Sequence, residues 1–143
     1  DMAVRFSKCC NPVPGDEIVG FVTRGRGMSI HRTDCVNVIN LSAAERSRLI
    51  TAEWEDPGDT EEGGQYLAEL KLYADDRRGL LLDITKVFTE EKIDVKSMNT
   101  RTSKKGTATM DMGFIVHGRE ELNRVIKKLR QIENVIDIER TTG

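Results

Sequence analysis

The chain has 143 residues, of which 38% are apolar and 32% charged, and its formal net charge at pH 7 is −2. These proportions are typical of an ordinary protein with one medium core or two small ones. No apolar run approaches the length of a membrane span. Three cysteines without a signal peptide argue against a disulfide framework.

All three cysteines and one of the two histidines lie between residues 9 and 35. Zinc sites usually take ligands in pairs that are two to four residues apart. Cys9 and Cys10 are adjacent, and adjacent side chains diverge in an extended chain, whereas His31 and Cys35 are spaced well for one ion. The spacing therefore favours three small buried thiols beside a histidine. It leaves two alternatives open: a zinc site formed by Cys9, Cys10, His31 and Cys35, and a redox-sensitive thiol at Cys9 or Cys10.

The first third of the chain is predicted to form a small α+β unit. Residues 18–23 and 28–32 read as a hairpin around a Gly-Arg-Gly turn, residues 35–41 as a short helix opened by Asp34, and residues 49–55 as a strand. Fewer than 60 residues make a marginal core, so a further cross-link would stabilise this unit. This is the best physical argument for a metal.

Residues 56–64 are predicted to be a flexible linker. They carry four acidic side chains and no basic one, and they contain no apolar side chain that could be buried. The linker divides the chain into a first domain, residues 1–55, and a second domain, residues 65–143.

The second domain has clear periodicity. Apolar residues alternate over 66–74 and 108–116, recur at helical spacing over 80–88 and 122–129, and suggest further strands at 94–102 and 136–138. The resulting order is βαββαβ. This order predicts a ferredoxin-like α+β domain, with both helices on one face of an antiparallel sheet.

The loop before the first helix of this domain is a candidate ligand site. A glycine at the helix N-terminus lets backbone amides approach a carboxylate, and an acidic side chain nearby could bind an ammonium group, so a zwitterionic amino acid would suit it. The plainer alternative is a capped turn with solvated arginines, which the residues alone favour. The candidate residues are Asp75, Asp76, Arg77, Arg78, Gly79, Leu80 and Leu81.

Both predicted domains carry a family resemblance. Residues 8–16 (Lys-Cys-Cys-Asn-Pro-Val-Pro-Gly-Asp), 23–27 and 30–37 resemble the conserved-cysteine, ribosome-intersubunit domain of long RelA/SpoT enzymes, which has also been called a zinc finger. Residues 76–81 resemble the ligand-loop signature of the ACT domain, which follows it in that family. The family makes and degrades the alarmone (p)ppGpp in the stringent response.

The resemblance implies a non-catalytic, cytoplasmic regulatory fragment of a GTP pyrophosphokinase or (p)ppGpp hydrolase. The chain shows neither a hydrolase metal-binding set nor a phosphate-cradling loop. The first domain is expected to contact ribosomal RNA and to relay regulation to a catalytic half, and the ACT domain to form a homodimer. An ACT sensor of branched-chain amino acids is the alternative function, and zinc is the one cofactor left open.

The resemblance directs attention to basic side chains that could contact RNA phosphates. Two groups of basic side chains lie at predicted turns, one in the first domain and one in the second, and a further arginine lies on the strand after the first turn. Charged turns are, however, most often simply solvated. The candidates are Arg24, Arg26, Arg32, Arg101, Lys104 and Lys105.

Overall fold

A computed structural model describes residues 4–25, 27–54 and 64–141, and within these ranges the chain forms eight strands and four helices. The N-terminal domain contains a four-stranded sheet with the strand order β1-β3-β2-β4. Strand β1 runs parallel to β3, and the other pairs are antiparallel. The elements are β1 (Val4–Phe6), β2 (Ile18–Thr23), β3 (Gly27–Arg32), α1 (Val36–Ile39), α2 (Ala43–Arg46) and β4 (Leu49–Thr51).

The predicted hairpin of this domain is confirmed, whereas the flanking elements differ from the prediction. Helix α1 is shorter than predicted and begins after Cys35; Asp34, which was predicted to open it, instead binds the Arg32 guanidinium through both carboxylate oxygens. Strand β4 ends at Thr51. Strand β1 and helix α2 were not predicted, although Ser42 and Glu45 form a capping box that marks the start of α2.

The C-terminal domain has the predicted βαββαβ order. Its sheet order is β6-β7-β5-β8 and all three strand pairs are antiparallel. The elements are β5 (Tyr66–Asp75), α3 (Leu80–Glu90), β6 (Val95–Thr102), β7 (Thr107–Val116), α4 (Arg119–Arg130) and β8 (Val135–Arg140).

Alternate residues of the two central strands make the core of this domain. Leu70 and Leu72 of β5 and Met112 and Phe114 of β7 are almost fully buried, together with apolar side chains of α3 and α4. Phe114 packs against Phe88 of α3 with ring centroids 4.9 Å apart. The period of two along the strands therefore places this face against the helices, as the sequence predicts.

The two domains contact each other directly. Val13 of the N-terminal domain is fully buried within the core cluster of the C-terminal domain. Phe6 stacks on Trp54 with ring centroids 5.4 Å apart, and both rings meet Tyr66 of β5 edge-on at 5.7 Å. Residues 56–63 of the predicted linker lie outside the described residues. The contacts between the two domains are therefore described from the residues on either side of it.

None of the helices in residues 4–25, 27–54 and 64–141 is long and apolar enough to cross a membrane.

Candidate metal centre and docking surfaces

The three cysteines and His31 converge in the N-terminal domain. Their four candidate ligand atoms all lie within 4.8 Å of one another. The Cys9 Sγ atom is 3.4 Å from His31 Nδ1 and 3.4 Å from Cys35 Sγ, and Cys10 Sγ is 3.9 Å from His31 Nδ1. A tetrahedral zinc ion with bonds of about 2.0–2.3 Å separates its ligand atoms by about 3.4–3.8 Å. The donor set and the distances between its atoms therefore fit one zinc ion, and the zinc site stays a prediction.

A local turn explains how two adjacent cysteines can face one point. The Asn11 amide donates to the Ser7 carbonyl at 3.0 Å, and Asn11 has a φ of 47°. This closes residues 7–11 into a single turn, in which adjacent side chains are rotated by roughly 100° rather than pointing to opposite sides. The expectation that Cys9 and Cys10 diverge assumed an extended chain, which this segment does not adopt.

Neighbouring polar groups orient the four side chains. The hydroxyl of Ser29 is 3.2 Å from His31 Nε2, which leaves Nδ1 directed at the sulfur atoms. The Arg32 amide donates to Cys10 Sγ at 3.3 Å, and the Ser7 hydroxyl is 2.9 Å from Cys9 Sγ. Hydrogen bonds of this kind fix ligand orientation around protein-bound metals.

The metal-free cluster holds its protons unequally. Burial raises the pKa of the Cys10 thiol to about 12 and, with the adjoining Cys9 thiol, raises the pKa of Cys35. Burial alone would raise the pKa of Cys9, but hydrogen bonds led by the one with Ser7 hold it below its usual value. Burial lowers the pKa of His31, so its ring is neutral at pH 7 and able to bind a metal. Metal binding would therefore release protons from the buried thiols.

The first group of RNA candidates is divided by the structure. Arg24 is exposed in the turn between β2 and β3, and Arg26 lies outside the described residues. Arg32 is only 4% exposed, and its guanidinium group donates to Asp34, to the Cys10 carbonyl and to the Thr141 carbonyl. Arg32 is thus a structural residue of the interdomain contact, and the expectation that it faces RNA is corrected.

The second group lies at the far end of the C-terminal domain. Lys104 and Lys105 are exposed in the turn between β6 and β7, and Arg101 on β6 pairs with Asp111 at 3.2 Å. Strands β5 and β7 pair over ten residues, from the Tyr66 end beside the N-terminal domain to this turn. At about 3.3 Å per residue, the turn is roughly 30 Å from that end of the sheet. Neither basic turn takes part in the described interdomain contacts.

The candidate ligand loop of the ACT-like domain is bridged by one of its own side chains. Arg77 donates to the Glu133 carbonyl at 3.2 Å, to the Arg78 carbonyl at 3.2 Å and to Asp83 Oδ2 at 2.7 Å. Gly79 has a φ of 80° at the start of α3, a conformation that favours glycine. Asp75, Asp76 and Leu81 are exposed, and Leu80 is buried in the core. The Arg77 guanidinium thus links the loop to α3 and to the Glu133 carbonyl, so the loop is already closed by hydrogen bonds of its own.

This arrangement predicts that the loop does not take up a branched-chain amino acid. When the isotope-labelled chain is titrated with leucine, isoleucine or valine to millimolar concentration, the amides of residues 75–81 should show no saturable shift. An Arg77→Ala variant serves as the comparison, because it removes the internal bridge. Saturable shifts confined to this loop in the unmodified chain would contradict the prediction.

The predicted homodimer stays a prediction. Strands β6 and β8 are the two outer strands of the described C-terminal sheet, and outer strands are the usual sites at which two sheets join.

Several interdomain residues were not singled out from the sequence. Arg140 donates to both carboxylate oxygens of Asp16, at 2.8 and 2.9 Å, and Asn11 donates to Glu69 at 2.6 Å. Asp16 also accepts from the Val13 amide at 2.9 Å. The sequence offers one signal of this interface: Val13 is an apolar residue between two prolines, in a segment without helix or strand periodicity.

Comparison with known proteins finds two family matches in different parts of the chain. Residues 1–55 match the RelA/SpoT RIS domain, and residues 62–140 match the ACT domain. The chain is 41% identical over 140 residues to a GTP pyrophosphokinase of Escherichia coli K12, covering 97% of this chain and 18% of that protein. It is 39% identical over 143 residues to a GTP pyrophosphokinase of Streptomyces coelicolor, covering 100% of this chain and 16% of that protein.

Among solved structures, the ACT domain from the GTP pyrophosphokinase of Chlorobium tepidum aligns with a TM-score of 0.49 at 23% identity, over 54% of this chain and 99% of that one. The chain spans less than a fifth of the length of the two curated relatives described above. The sequence similarity supports a regulatory segment of a longer protein. The chain belongs to the ACT domain family, and its ACT domain follows a RelA/SpoT RIS domain.

Proposed function

We propose that the chain is the segment through which a ribosome-associated (p)ppGpp synthetase or hydrolase docks on ribosomal RNA and relays regulation to its catalytic part. The observation that carries the proposal is the match of residues 1–55 to the RIS domain of RelA/SpoT proteins, followed by a match of residues 62–140 to the ACT domain. Over 140 residues that include both matches, the chain is 41% identical to a GTP pyrophosphokinase. The enzymatic activity would belong to the part of the protein that this segment does not include.

The four-residue cluster would serve this function as a structural metal centre. Cys9, Cys10, His31 and Cys35 would hold one zinc ion, whose bonds would join the N-terminal turn to β3 and to the start of α1. The buried apolar cluster of this domain is small, comprising Cys10, Cys35 and Val38 among the described residues. A metal would therefore supply much of the stability that so small a core cannot.

The turn between β2 and β3 is the part of the N-terminal domain best suited to an RNA backbone. Arg24 is exposed there, next to Gly25, whose φ of 70° shapes a tight turn. Among the described residues, no heavy atom outside its chain neighbours lies within 4 Å of the position that a Cβ at Gly25 would take, so an extended surface could approach the turn closely. Arginine binds phosphate oxygens in a fixed, bidentate geometry, and recognition of folded RNA by shape needs few aromatic side chains.

Ribosome binding by the two basic turns can be tested separately. Arg24→Glu/Arg26→Glu should weaken co-sedimentation of the chain with ribosomes by at least tenfold, because each phosphate that is no longer neutralised keeps its counterions and repels the new carboxylate. The salt dependence of binding should also fall, by about one unit of slope for each phosphate that is no longer bound. Lys104→Glu/Lys105→Glu tests the turn at the opposite end of the ACT domain.

The matched control is Lys86→Glu/Lys127→Glu, which changes the net charge equally on the two helices of the ACT domain. This control should bind nearly as well as the unmodified chain. Equal weakening in all three variants would mean that only net charge matters. Unchanged binding of the Arg24/Arg26 variant would contradict docking through the N-terminal turn.

A further inference from the structure

The segment that carries the cysteine pair also carries the contacts between the domains. Cys9 and Cys10 belong to the four-residue cluster proposed to hold zinc, and the residues that follow them reach the ACT domain. Asn11 Nδ2 donates to Glu69 at 2.6 Å, Val13 is fully buried in the ACT core, and the Pro14 carbonyl accepts from the Arg119 amide at 2.7 Å. Residues 9–14 thus form one short segment that joins the four-residue cluster to the ACT domain.

Two arginines connect the same segment to the end of the chain. Arg32 donates from its guanidinium group to the carbonyls of Cys10 and Thr141, at 3.1 and 3.2 Å, while its amide donates to Cys10 Sγ. Arg140 donates to the Asn11 carbonyl at 3.3 Å and to the buried Asp16 carboxylate. Both guanidinium groups therefore bind backbone carbonyls of this segment, at Cys10 and Asn11, and these hydrogen bonds depend on the position of the segment.

The segment is also stiff. Pro12 and Pro14 each fix their φ near −65°, and the Asp16 carboxylate holds the Val13 amide at 2.9 Å. If the backbone at Cys9 and Cys10 changes direction, these restraints leave little freedom in residues 11 and 12, so Val13 should move as well. Because Val13 fills a fully buried position, even a small displacement would open a cavity in the ACT core.

We propose that metal binding at the cysteine cluster is coupled to the packing of the N-terminal domain on the ACT domain through residues 9–14. The coupling rests on the proposed metal centre. With the metal bound, the four ligands hold the turn in the form that seats Val13; without it, the turn loses that constraint and the interdomain contact weakens. The metal state of the N-terminal domain thereby determines whether Val13 is seated in the ACT core.

Coupling of this kind is reciprocal: the factor by which bound zinc favours the interdomain packing equals the factor by which that packing raises the zinc affinity. A variant in which the packing is lost should therefore bind zinc less tightly. Zinc affinity is measured by competition with a chelator of known affinity in the complete chain. Val13→Ala, which removes the buried contact, and Glu69→Ala, which removes the Asn11 partner without altering the ligand segment, should each lower the zinc affinity, by about 5-fold or more for Val13→Ala. Ile84→Val is the control, because it trims a core residue of α3 by one methyl group and leaves Val13, Asn11 and Glu69 unchanged.

The reverse direction is followed by amide hydrogen exchange. On zinc removal, the amide of Arg119, which donates across the interface, should exchange much faster, while the amides of Leu70 and Leu72 in the central strand stay protected. If no zinc binds the unmodified chain, the proposed metal centre itself fails. If zinc binds but its affinity is equal in all variants and Arg119 exchange is unchanged, the metal centre stands and the coupling is overturned.

Discussion

Removing zinc from the metal-loaded chain should unfold the N-terminal domain and leave the ACT domain folded. The described apolar cluster of the N-terminal domain is small, whereas that of the ACT domain contains large side chains from both helices and from its central strands. Structural zinc sites contribute on the order of 10 kcal/mol in small zinc-dependent domains, which exceeds the stability of most domains of this size. Cys35→Ser should have the same effect without a chelator, because it removes one of the four ligands.

Trp54 reports this change, because it is the one tryptophan in the chain. It stacks on Phe6 and donates from Nε1 to the Asp16 carbonyl at 3.0 Å, so unfolding of the N-terminal domain should shift its fluorescence to longer wavelength. Amide spectra would show the ACT strands retained at the same time. Ser47→Ala is a control at an exposed site, where the hydroxyl donates to the Ala44 carbonyl rather than to a ligand residue. An unchanged spectrum after complete zinc removal would contradict a stabilising metal.

Asp16→Ala should lower the free energy of unfolding of the complete, zinc-loaded chain by about 3 kcal/mol. The side chain of Asp16 is 4% exposed and that of Arg140 is 17% exposed, so the pair is mostly removed from water. Losing the carboxylate leaves the Arg140 guanidinium without its bidentate partner and the Val13 amide without an acceptor. Chemical denaturation at constant zinc concentration measures the difference.

Asp111→Ala provides the comparison for this experiment. Asp111 pairs with Lys71 and Arg101, but its side chain is 41% exposed, and ion pairs in water contribute about 0–1 kcal/mol. The expected order is therefore a large loss for Asp16→Ala and a small one for Asp111→Ala. Equal losses would show that the interdomain ion pair adds no more than a surface pair does.

The ACT fold was predictable from the sequence because its strands and helices carry regular apolar periods. The alternating residues of β5 and β7 are the ones buried in the core. Strand β6 was the weakest prediction of this domain, and its burial pattern explains why: it is exposed along nearly its whole length and carries little alternation.

The N-terminal domain was less predictable because its structure depends on contacts that no period encodes. The convergence of Cys9 and Cys10 depends on one turn closed at Asn11, and spacing rules for extended chain gave the wrong direction for their side chains. Arg32 reads as a surface charge in the sequence, yet its partners include Thr141 at the far end of the chain. Such long-range polar contacts leave no local signal in a single sequence.

The most direct test of the metal centre is X-ray absorption spectroscopy at the zinc edge on the purified, metal-loaded chain. Three sulfur neighbours at about 2.3 Å and one nitrogen neighbour at about 2.0 Å are expected, with one zinc ion per chain. The Cys10→Ser variant should lose a sulfur neighbour or the metal itself. Zinc surrounded mainly by oxygen, or a chain that retains no zinc, would contradict a metal centre formed by Cys9, Cys10, His31 and Cys35.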